Sequence, residues 1–139
     1  MAAALVTPSF ANQTVQHLDP TFGSLRLAEA TVGRPRDILR QSDGKIVAAG
    51  FVGSHLTTRN YLIARYESDG ALDGSFGDGG MVTTSLSESQ DQIWDLVLLL
   101  EGRLVAAGGY YPTPQTIGFG MVRYLTDGAL DPSFGEVSQ

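Results

Sequence analysis

Two charged residue types recur in this chain at one spacing. Asp37 is followed 58 positions later by Asp95, and Arg65 is followed 58 positions later by Arg123. Repeated charges of this kind can line a shared channel, or they can tie neighbouring strands together as bidentate carboxylate–guanidinium pairs. Buried charges are normally paired, so an Asp–Arg pair within each repeat is the expectation. A second group, Asp43, Asp69, Asp73, Asp78, Asp127 and Asp131, lies near glycines and raises the question of calcium. No Asp-x-Asp-x-Asp-Gly loop with a closing Glu is present, so turn and cap duty is expected instead, with no metal. His17 and His55 occupy unrelated positions. That scarcity argues against a histidine metal site and against a Ser–His–Asp triad, which needs a base beside its nucleophile. Gly77, Gly79 and Gly80 follow a turn rather than opening a helix after a strand, so they form no phosphate-binding loop. Neither an enzyme nor a cofactor is expected.

Aromatic residues offer a different chemistry, and they occur where the repeats differ. Tyr110-Tyr111-Pro112-Thr113-Pro114 replaces the Phe51–His55 stretch, and Ile93-Trp94 opens a segment more apolar than its counterpart. Tyr110, Tyr111 and Trp94 are the candidate rim residues for a sugar or a protein partner, with ordinary packing between sheets as the alternative. The run Leu96 to Leu100 predicts a strand buried on both faces.

Composition narrows the setting. The chain has 139 residues, a net charge of −6 and no cysteine. Phosphate binding needs clustered Lys and Arg, and the nine basic residues are scattered, so neither nucleic acid nor an anionic membrane is an expected partner. Without cysteine there is no disulfide or thiolate metal site, and the redox compartment stays open. Residues 1–8 lack the positive n-region and long apolar stretch of a signal peptide, and no apolar run approaches a spanning length. A soluble protein is expected, with the cytoplasm ahead of other compartments.

The elements that position these residues come from an internal repeat. Three hexapeptides share one pattern: Leu18-Asp19-Pro20-Thr21-Phe22-Gly23, Leu72-Asp73-Gly74-Ser75-Phe76-Gly77 and Leu130-Asp131-Pro132-Ser133-Phe134-Gly135. A shift of 58 residues aligns the second half on the first without a gap, with about two in five positions identical from residue 34 to 77. Each unit predicts short antiparallel strands: 36–41, 46–51 and 61–66 in the first, 93–99, 104–110 and 119–124 in the second. Residues 80–85 form a fourth strand of the first unit. Ser42-Asp43-Gly44-Lys45 is the clearest turn signal. The hexapeptide predicts a single helical turn, with Asp as N-cap, Gly in the left-handed closing position, and Leu and Phe as an apolar anchor. Leu18, Asp19, Phe22, Leu72, Asp73, Phe76, Leu130, Asp131 and Phe134 are therefore assigned structural roles. Four short strands per unit of roughly 50 residues is the size of a propeller blade.

The run Asp-Gly-Lys-Ile-Val-Ala-Ala-Gly, then Ala64-Arg65-Tyr66, then Asp-Gly-x-Leu-Asp-x-Ser-Phe-Gly, resembles the delta-60 repeat family of bacterial β-propellers. The resemblance covers residues 17–135 and implies four-stranded blades, without an activity or catalytic residues to carry over. Leu98-Leu99-Leu100-Glu101 departs from the family's polar turn, and the first hexapeptide stands only 54 residues before the second.

Propellers close at about four to eight blades, so two blades leave two apolar faces uncovered. The expected fold is all-β, with two four-stranded blades per chain completing a closed propeller by homo-oligomerisation. Residues 1–16 are read as an arm outside the repeat. Residues 17–77 hold a strand-exchange segment and blade 1, and residues 78–139 the rest of blade 1's outer strand and blade 2. Leu25-Arg26-Leu27-Ala28 is expected to supply the fourth strand of a neighbour's last blade, with trimer or tetramer the expected ring and a shortened chain as the alternative. The expected function is a non-catalytic scaffold or binding module. The alternative is a lectin-like propeller with carbohydrate sites between blades.

Overall fold

The structure is a computed structural model that describes residues 21–22, 33–54, 58–113 and 115–135. Seven strands are present among them. β1 (Arg34–Arg40), β2 (Ile46–Gly53), β3 (Arg59–Tyr66) and β4 (Met81–Thr84) form one antiparallel sheet in that order. β5 (Gln92–Leu98), β6 (Leu104–Thr113) and β7 (Thr116–Tyr124) form a second sheet, with three strands among the described residues. The expected arm, both histidines and the proposed exchange segment, Leu25 to Ala28, lie outside the described residues.

The turns behave as the glycine spacing predicts. Gly44 N donates to Gln41 O and Gln41 N to Lys45 O, a tight connection between β1 and β2. Gly102 N and Leu99 N make the same two bonds between β5 and β6. Asp43 accepts from Lys45 N, Asp69 from Ala71 N and Asp127 from Ala129 N, each two residues on. These carboxylates replace a backbone acceptor in the turn.

Both inner strands carry a bulge at the same place in the repeat. Register shifts between Pro35 and Asp37 in β1, and between Ile93 and Asp95 in β5, leaving Arg36 and Trp94 as the extra residues. The glycine opposite each bulge is there for close approach. A Cβ on Gly50 would stand 2.0 Å from Arg34 O, and one on Gly108 would stand 2.1 Å from Gln92 O. The Ala-Ala-Gly segments thus do two jobs. Ala49 and Ala106 pack in the core, while the glycines let the inner strand bulge.

The core lies between the sheets. Val47, Ala49, Tyr61, Ile63 and Phe76 from the first sheet meet Ile93, Leu96, Leu104, Ala106 and Tyr124 from the second. Alternation along each strand puts these sets on facing surfaces. Within the chain only one face of β5 is buried. Ile93 and Leu96 point inward, whereas Trp94 and Val97 are half-exposed and Leu100 stands in the open turn, contrary to the expected burial on both faces.

Candidate functional site

The repeated arginines do not pair with the repeated aspartates of the first strands. Asp37 lies opposite Ala49, and Arg65 lies opposite Val47, so β2 separates the two. Adjacent strands are about 4.8 Å apart, and two such steps are too far for an ion pair in register. Arg65 instead donates from Nε to Asp73 Oδ2 at 2.6 Å, and Arg123 makes the same bond to Asp131 at 2.8 Å. Isolated bridges, Tyr66 with Leu72 and Tyr124 with Leu130, fold each hexapeptide back beside the arginine.

The hexapeptide is a β-turn rather than a helical turn. Phe76 N donates to Asp73 O, and Phe134 N to Asp131 O. Asp73 Oδ1 accepts from both N and Oγ of Ser75, at 3.0 and 2.6 Å, and Asp131 does the same with Ser133. Gly77 and Gly135 close their turns at φ 56° and 85°, as the sequence predicts. The Phe anchors the turn beneath the arginine, with the Arg65 guanidinium 4.5 Å from the Phe76 ring and Arg123 4.7 Å from Phe134. The Leu does not share that anchor; Leu72 is half-buried and Leu130 exposed. In the first copy, Thr21 is exposed and Phe22 half-buried.

A second cation joins each cluster. Lys45 Nζ reaches Glu67 at 2.5 Å and Asp73 at 3.1 Å, while Arg103 reaches Glu101 at 2.7 Å and Asp131 at 3.3 Å. Burial opposes ionisation of Asp73, but bonds from Ser75, Lys45 and Arg65 outweigh it and hold the carboxyl well below the usual carboxylate range. Ser133 and Arg123 bring Asp131 down to about 2. Both carboxylates are thus fixed anions, suited to holding a guanidinium and unsuited to proton transfer near neutral pH.

Arg65 has a further partner that Arg123 does not have among the described residues. Its Nη1 donates to Thr126 O, in the turn after β7, at 2.6 Å, and Nη2 to Ser75 Oγ at 3.2 Å. Arg123 repeats the second bond with Ser133 at 3.0 Å. Its Nη1 meets no partner among the described residues.

Three more bonds join the sheets. Leu96 N donates to Asp37 Oδ2 at 2.9 Å, Gly77 N to Asp127 O at 2.8 Å, and Tyr124 OH to Thr84 Oγ1 at 2.8 Å. Burial pushes the Tyr124 hydroxyl up to about 12 despite its bond to Thr84. Asp37 and Asp95 therefore act at the bulges. Each also receives the next residue's N–H at Oδ1, from Ile38 at 2.8 Å and from Leu96 at 3.0 Å.

The candidate rim aromatics are not brought together. A Cβ on Gly109 would meet the Trp94 ring, and one on Gly118 would meet the Tyr110 ring. Gly109 and Tyr110 are neighbours on β6 and point to opposite faces, so Trp94 and Tyr110 do too. Tyr110 and Tyr111 are half-buried. The Tyr110 ring covers glycine backbone of β7 rather than standing free.

The uncovered surface lies elsewhere. On the outer face of the second sheet, Phe119 is 66% exposed and Met121 49%. Their counterparts one repeat earlier, Tyr61 and Ile63, are both 0% exposed. Val97 lies on the same face beside half-buried Val105 and Ala107. The outer side of β7 has no paired strand among the described residues, and a groove of about 620 Å³ runs near it. Val82, Thr84, Gly128 and Leu130 are among the residues that line it.

Sequence reasoning missed the Arg65–Asp73 pairing and the Lys45 and Arg103 cations. A signal for both was available. Arg65 precedes Asp73, and Arg123 precedes Asp131, by the same eight positions, and a cation recurs at 45 and 103.

Among the described residues, no helix is long and apolar enough to cross a membrane. Searches of curated proteins and of solved structures find no match. A family model described as "Domain of unknown function (DUF5122) beta-propeller" matches residues 41–76 and 102–134. Those two segments run from the β1–β2 and β5–β6 turns to the hexapeptides, one in each sheet. With both of its repeats matched, the chain belongs to the DUF5122 β-propeller family.

Proposed function

We propose that this chain is a non-catalytic β-propeller scaffold or binding module that works as a closed ring of identical chains. One observation carries the reading: the face of the second blade that holds Phe119 and Met121 is bare, whereas the equivalent face of the first blade is buried. Fully burying a side chain of this size contributes about 1.5–3 kcal/mol, so covering several together is a substantial driving force. Identical chains joined head to tail close when the rotation per chain divides the circle. Three chains give six blades and four give eight, both within the range of closed propellers.

In this reading a neighbouring chain also supplies a strand beside β7, whose outer side has no paired strand among the described residues. Leu25-Arg26-Leu27-Ala28 is the segment proposed for that role. Edge addition of this kind satisfies backbone groups that are otherwise left to water. The rim loops of the ring then form the binding surface. A crystal structure of the assembled protein, checked against solution scattering, tests the reading. It is expected to contain a closed ring of six or eight blades; separate two-blade units in both would overturn it.

A further inference from the structure

We infer that the second blade of one chain docks on the first blade of another through the polar contacts that join the two blades within a chain, displaced by one repeat. This rests on the ring reading above and names its contact. Within the chain, Leu96 N donates to Asp37, Arg65 Nη1 to Thr126 O, and Gly77 N to Asp127 O. Displacement by 58 positions gives three contacts between chains. Ile38 N of the next chain donates to Asp95, Arg123 Nη1 donates to that chain's Ser68 O, and Gly135 N to its Asp69 O.

Each group on the docking side is already held as its counterpart is. The Arg123 guanidinium is fixed by Asp131 and Ser133 as Arg65 is by Asp73 and Ser75. Asp95 Oδ1 accepts from the following N–H as Asp37 Oδ1 does. Oδ2 of Asp95 has no partner among the described residues, whereas Oδ2 of Asp37 holds Leu96 N across the blades. A guanidinium held in place loses little freedom on gaining one more acceptor.

The accepting side is equally prepared. Gly70 N donates to Glu67 O and Glu67 N to Ala71 O, which repeats the turn that Leu125, Gly128 and Ala129 form around Thr126 and Asp127. Ser68 and Asp69 are exposed. Apolar residues agree with the polar set. Leu96, Leu104 and Ala106 are buried in the contact within the chain, while their counterparts Ile38, Ile46 and Ala48 are open to different degrees, Ile38 at 67%. Leu62, Ala64 and Tyr66 of that face are already buried, so the open part lies over β1 and β2. The two surfaces are different, so the contact is heterologous and runs head to tail from one chain to the next.

The chain has no cysteine, which permits a site-specific cross-linking test. Gly74→Cys with Thr126→Cys in one chain is the calibration, because both are exposed and flank the Arg65–Thr126 bond. The equivalent pair between chains is Pro132→Cys on one and Ser68→Cys on the next, also exposed positions. The two single variants are unfolded, mixed, refolded together and treated with a short bismaleimide. Cross-links joining the two variants, at about half the calibration yield because random mixing pairs only about half of the chains correctly, and at least tenfold above either variant alone, are expected. An assembled protein that links only like to like, or not at all, overturns this contact and leaves the ring standing. A protein that stays monomeric by light scattering overturns the ring and the contact with it.

Discussion

The two blades are repeats of one sequence pattern, and they differ most in what covers them. In the first blade Tyr61 and Ile63 are sealed beneath the second, and Arg65 reaches across to Thr126. In the second, Phe119 and Met121 are open, and Arg123 has the same internal partners with no bond across among the described residues. The charged cluster is therefore assembled by its own blade, and the contact across blades is added to it. This division separates residues that fold a blade from residues that join blades.

The largest effect should come from breaking the cluster in the covered blade. Asp73→Ala leaves the buried Arg65 guanidinium without its carboxylate and is expected to cost about 3–5 kcal/mol in urea unfolding. Asp131→Ala should cost less, because the Arg123 side chain is 20% exposed against 8% for Arg65. Equal losses would remove the distinction between the blades.

Core truncation gives the next effect. Ile63→Ala should destabilise by about 2–5 kcal/mol, the usual cost of a cavity in a packed core. Met121→Ala should change the stability of an isolated chain by less than about 0.5 kcal/mol, yet weaken assembly. Unfolding measured over a range of protein concentrations separates the two outcomes.

Tyr124→Phe removes one buried hydroxyl bond to Thr84 and is expected to cost about 1 kcal/mol. A loss within error would mean that the Tyr124–Thr84 bond adds nothing to the contact between blades.

The smallest effect is in acid. Asp131 titrates at about 2 in the folded chain, below the roughly 3.9 of an unfolded aspartate. Its contribution is therefore complete above about pH 4 and is lost as pH falls through 2. Asp131→Asn should flatten stability against pH between those limits, read by circular dichroism during acid titration.

Much of the fold is legible in the residues themselves. Asp-Gly turns at 43–44, 69–70 and 127–128 punctuate strands of fixed spacing, so all seven strands fall near their expected places. The ion pairs were harder to read because they depend on register. Equal recurrence of Asp37 and Arg65 says that each is structural, without saying which strand lies between them. The hexapeptide's Asp cap and closing Gly fit a helical turn as well as a β-turn; the bridge from Leu72 to Tyr66 decides for the latter. Trp94 attracts notice as the single tryptophan, but its position is a bulge, and a bulge is a property of strand pairing. The bare face was harder still. Phe119 and Met121 are as apolar as Tyr61 and Ile63, so only the packing of the first blade on the second distinguishes them.

The central claim is that another chain covers the face that the second blade leaves open. Native mass spectrometry tests this most directly. The account predicts a single assembly of three or four 14.8 kDa chains, dispersed to monomers by Phe119→Glu. A wild-type protein found only as the 14.8 kDa monomer would contradict it.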